Sequence, residues 1–68
     1  TLSPDLVETL TVYLEAESSL IEAAAVLGVH RNTIARRVAR IEQLLGVDLA
    51  DPDTRLALHL ACRVIGGA

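Results

Sequence analysis

Lysine, phenylalanine, tryptophan and methionine are absent from these 68 residues, and tyrosine and cysteine occur once each. With Tyr13 as the single aromatic in a chain that is 51% hydrophobic, the core has to be built from Leu, Ile, Val and Ala. That favours helices over a sheet, since strands draw on aromatic and β-branched residues. The lone Cys62 excludes an internal disulfide, in keeping with a reducing compartment. No apolar run approaches the roughly 20 residues that span a bilayer, and no secretory segment opens the sequence. The expectation is a soluble, cytoplasmic chain with no membrane partner. Its length allows one small domain, and a chain this short buries only about 60% of its unfolded surface, so a neighbouring domain or subunit is expected to cover part of it.

Acids outnumber bases nine to six, for a formal charge of -3, which argues against an indiscriminate polyanion binder. The distribution reverses that sum locally. Residues 23 to 41 carry Arg31, Arg36, Arg37 and Arg40 without one Asp or Glu. Asp5, Glu8, Glu15, Glu17 and Glu22 precede this stretch, and Glu42, Asp48, Asp51 and Asp53 follow it. Affinity for phosphate depends on which face the cations share, whereas global charge sets long-range steering.

The pattern predicts an all-α domain of four helices. Ser3 before Pro4 is a cap followed by proline at the first helical position, and Leu6, Leu10, Tyr13 and Leu14 recur at helical spacing, so the first helix spans about 4–16. Ser19 and Glu22 make an S-x-x-E capping box for a second helix, 20–27, which Gly28 stops in the left-handed conformation. Val29 and His30 lead into a third helix, 31–45, with Ile34, Val38, Ile41 and Leu45 on one face and Gly46 as its end. Asp51 and Pro52 open a fourth, 52–65, with Asp53 placed to favour its dipole and Gly66 and Gly67 as the stop. This last helix carries two apolar stripes. Leu56, Leu60 and Val64 are expected to face the core, leaving Leu58, Ala61 and Ile65 for a second subunit or another domain.

Helices two and three, joined by a glycine turn, form a helix-turn-helix pattern whose second member would lie in the major groove of double-stranded DNA. Ala23, Ala24 and Ala25 permit close crossing, and Val29 plugs the angle. With about 100° per residue and Ile34 at the inner centre, Asn32, Arg36, Ala39 and Gln43 fall outside. Arginine can donate twice to guanine and asparagine can pair with adenine, so Asn32 and Arg36 are base-reading candidates. Arg31, at the helix start, is a third, and Ala35 is small enough to admit a thymine methyl. Thr33, Arg37 and Arg40 are placed for phosphate, and His30 at the N-cap could hold one as well.

An enzyme would need a nucleophile with a base, or paired carboxylates, and no such set is present. His59 and Cys62, one turn apart, could supply two metal ligands, but structural zinc wants four, so neither a metal site nor a cofactor is expected. Cys62 reads as a small core or interface residue. The rival to DNA binding is a helical protein-interaction or dimerisation module. The two separate on salt dependence, which only the DNA binder would show.

The segment L-G-V-H-R-N-T-I-A-R-R-V-A-R-I-E-Q-L-L-G-V-D-L, residues 27 to 49, resembles the C-terminal helix-turn-helix domain of PucR/CdaR-type bacterial transcriptional regulators. His30 to Ile34, Arg40 to Glu42, Gly46 and the D-P-x-x-R-x-x-L-x-x-A stretch from Asp51 to Ala61 carry the likeness, with Thr9 to Leu14 ahead of them. Ala35 and Arg36 depart from it, since such sequences often have a larger polar residue followed by tyrosine. The resemblance implies sequence-specific DNA binding by a domain placed at the C-terminus of a longer regulator. It also implies a sensory region outside these residues and a working homodimer.

Overall fold

The computed structural model describes residues 2–67, with side chains through residue 64. It holds α1 (Pro4–Glu15), α2 (Leu20–Leu27), α3 (Arg31–Leu45) and α4 (Pro52–Gly67). Each start follows from a local cap. Ser3 Oγ accepts the Leu6 N–H at 3.3 Å, and Ser19 Oγ accepts that of Glu22 at 3.2 Å. Asp51 Oδ2 accepts both the backbone N–H and the hydroxyl of Thr54, at 3.1 and 2.7 Å. Those bonds, the hydroxyl first, hold the exposed Asp51 carboxyl below the usual carboxylate range.

The Ser19 box closes on one side only. The Ser19 N–H donates to Ala16 O at 3.1 Å across the tight α1–α2 turn, so it is already satisfied without the Glu22 carboxylate. That turn places two non-glycine residues, Glu17 and Ser18, at φ 55° and 64°. A left-handed L-residue costs about 1 to 2 kcal/mol, part of which glycine returns through its own chain entropy. Glu17→Gly should therefore raise stability by about 0.5 to 1 kcal/mol, as a higher urea midpoint with an unchanged slope. A lower midpoint would mean that the Glu17 side chain contributes contacts that outweigh its strain.

Leu10, Leu14, Ala23, Ala24, Ile34, Val38, Ile41 and Leu49 form the core, with Val29, Leu58 and Cys62 packed against it. Buried Ala23 and Ala24 bring α2 and α3 together, while Ala25 faces outward. Leu45, expected inside, is exposed at the end of α3, and Leu49 from the following loop fills the core instead. Glu42 makes that possible: its carbonyl takes the N–H groups of Gly46 and Val47, and its carboxylate takes the Leu49 N–H at 2.8 Å.

Helix α4 packs on α1 alone among the described helices. Its expected inner stripe faces outward, and one member of the expected outer stripe faces inward. Leu58 and Cys62 pack against the core, while Leu56, Leu60 and Val64 are 61%, 56% and 73% exposed. The periodicity allowed both faces, and the packing of α4 against α1 turns Leu58 inward. Leu58 is therefore withdrawn from the expected outer contact, Ala61 does face outward, and the side chain of Ile65 lies outside the described residues. The helix also continues through Gly66 to Gly67. Glycine weakens a helix by about 1 kcal/mol relative to alanine but keeps the N–H that proline lacks. No described helix is long and apolar enough to cross a membrane.

Candidate nucleic-acid interface

Gly28 creates the turn that aims α3. Its φ of 69° is left-handed, its N–H closes α2 on Ala24 O, and Val29 N–H returns to the same carbonyl at 3.0 Å. His30 then starts α3 with an unusual cap: its Nδ1 accepts the Asn32 N–H at 3.0 Å. An accepting Nδ1 places the imidazole proton on Nε2, leaving one donor on this exposed ring for a ligand. The cap and the expected phosphate role thus use different nitrogens.

Ile34, Val38 and Ile41 hold the inner face of α3, and Arg31, Asn32, Ala35, Arg36, Ala39, Arg40 and Gln43 are exposed. The expected base-reading set shares this outer surface. A shallow hollow lies on each side of it. On the α2 side, Ser19, Leu20 and Ile21 meet Arg31 and Asn32. On the α1 side, Leu6 meets Thr33, Arg36, Arg37 and Arg40 around about 410 Å³ of open space. The three arginines lie on one edge of the helix, and Arg36 borders both that edge and the outward centre.

Arg37 is half-buried and makes a contact beyond α3: its Nη1 donates to Thr9 Oγ1 in α1 at 3.3 Å. Thr9 and Leu6 are thus parts of the site that helix-turn-helix reasoning passes over. The available signal was a polar residue, Thr9, beside the apolar stripe of α1. Glu42, a possible local partner for arginine, is instead engaged with the Leu49 amide. Among the described residues no group of three or more His, Cys, Asp or Glu is placed to hold a metal ion.

Comparison with known proteins bears on the same surface. Residues 6–64 match the family model of the PucR C-terminal helix-turn-helix domain. The chain is 48% identical over 59 residues to the purine catabolism regulatory protein of Bacillus subtilis, covering 87% of this chain and 11% of that one. It is 36% identical over 58 residues to the proline-responsive transcriptional activator PutR of the same organism, covering 85% and 14%. To the DNA-binding transcriptional activator AdeR, also from Bacillus subtilis, it is 34% identical over 56 residues, covering 82% and 13%. No solved structure gives a significant match. The chain therefore spans between a tenth and a seventh of the length of these relatives. Four helices, a glycine turn into an arginine-rich third helix and a family match across 6–64 converge: the chain belongs to the family of PucR C-terminal helix-turn-helix domains.

Proposed function

We propose that α3 enters the major groove of double-stranded DNA and reads sequence through Arg31, Asn32, Ala35 and Arg36, while His30, Thr33, Arg37 and Arg40 meet the backbone phosphates. The observation that carries this reading is the division of α3. Three buried aliphatic side chains anchor one face, and the opposite face presents Asn32 and Arg36 between two hollows edged with arginine. A rigid helix holding its polar groups outward loses little freedom on binding. Arg and Asn are also the residues whose paired hydrogen bonds distinguish guanine and adenine.

The unit acts by binding rather than by catalysis, in the cytoplasm, as the C-terminal domain of a longer regulator. A sensory region elsewhere in that regulator would set when it binds. We propose a homodimer as the working form, because two half-sites about one helical turn apart give a small domain the affinity that one α3 lacks. The outward stripe of α4 at Leu56, Leu60 and Val64, with Ala61 beside it, supports a subunit or interdomain contact there.

Salt titration tests the reading. The logarithm of affinity should fall linearly with the logarithm of salt, by about 0.9 for each phosphate neutralised, with about two such phosphates per subunit from Arg37 and Arg40. A slope near zero would instead favour a helical interaction or dimerisation module. Selection of bound fragments from random DNA with the full-length regulator would then supply the operator.

A further inference from the structure

We propose that Thr9 is a positioning residue for DNA binding: its buried hydroxyl holds the Arg37 guanidinium at the edge of α3, where a backbone phosphate would enter. This rests on the reading that α3 binds DNA. Thr9 is 0% exposed and is the one buried polar residue among the described core positions. A polar group in such a place is costly unless its hydrogen bonds are made.

The hydroxyl has one hydrogen, and the chain fixes where it goes. Thr9 Oγ1 donates to Asp5 O at 2.8 Å, one turn back in α1. The oxygen can then only accept, and its partner is Nη1 of Arg37, at 3.3 Å and 28 residues along the chain. Thr11 makes the same backward bond, to Val7 O at 2.9 Å, so that bond alone does not call for an arginine. The arrangement at Thr9 adds an acceptor aimed at α3.

A guanidinium carries five N–H donors and no acceptor. One is engaged by Thr9, and the others remain for the hollow that Arg37 shares with Leu6, Thr33, Arg36 and Arg40. An arginine ordered before contact pays less of the rotamer cost of meeting a phosphate. Arg36 and Arg40 are exposed on the same edge, whereas Arg37 is half-buried. In this account α1 belongs to the binding machinery although it touches no DNA.

The test uses the full-length regulator that carries this domain and a labelled random-sequence duplex two helical turns long, titrated across salt, with melting followed in parallel. Thr9→Val keeps the shape and removes the acceptor. It should weaken binding several-fold, and Arg37→Ala should cost much less in that background than in the wild type. Thr9→Ser, which keeps the oxygen, should restore wild-type binding. Additive losses from the two substitutions, or Thr9→Ser as weak as Thr9→Val, overturn the inference, whatever happens to the melting temperature. Relaxation of the arginine side-chain N–H groups in the free wild-type chain requires no folded variant. Arg37 more ordered than Arg36 and Arg40 supports the proposal, and equal mobility overturns it. Absence of salt-dependent binding by the wild type would defeat the DNA reading and this inference together, whereas wild-type binding with an additive cycle defeats only the role of Thr9.

Discussion

Replacing Ile34 with alanine should lower stability by about 2 to 5 kcal/mol, because a fully buried aliphatic side chain loses both its transfer free energy and its packing. For a domain of this size the whole folding free energy is roughly 3 to 10 kcal/mol, at about 0.05 to 0.15 kcal/mol per residue. The substitution therefore removes a large share of it. Ile34 shares the core with Ala23 and Ala24 of α2, so the cavity would open under the very helix that presents the arginines. Urea unfolding followed by circular dichroism would show the midpoint falling, and DNA binding would fall with the folded fraction. A loss under about 1 kcal/mol would mean that the α2–α3 crossing is not close-packed around this side chain.

Arg36→Ala, on the opposite face of the same helix, should leave the melting curve nearly unchanged and act on recognition instead. Truncating an arginine that pairs with guanine costs roughly 1 to 3 kcal/mol on the preferred sequence and relaxes specificity at one position. Arg40→Ala should weaken binding to all sequences alike and reduce the salt slope by about 1. Affinities measured on a selected operator and on single-base variants of it separate these outcomes. Arg36 borders the hollow that also holds Arg37 and Arg40, so the comparison is a demanding one. Equal, sequence-blind losses from both substitutions would move Arg36 from the bases to the phosphates.

Much of this site is legible before any coordinates. Ser3–Pro4, Ser19, Gly28, His30 and Gly46 mark helix ends within a few residues of themselves, because a cap needs only its own turn of backbone. The spacing of Ile34, Val38 and Ile41 likewise decides which side of α3 is outside, since a helix with one apolar stripe has one way to bury it. Where two stripes compete, as on α4, periodicity is silent. Leu56 and Leu58 could each serve the core there, and only the packing of α4 against α1 chooses between them.

Local chemistry by itself therefore determined four helices, the glycine turn and an arginine face free of acids. Tertiary structure decided what those groups do to one another. It sent Glu42 to the Leu49 amide, turned Leu58 inward and joined Arg37 to a threonine 28 residues away. The physical reason is range. Helix starts and stops are settled by hydrogen bonds a turn or less apart, but a side-chain partner across the core exists only once separate helices have packed.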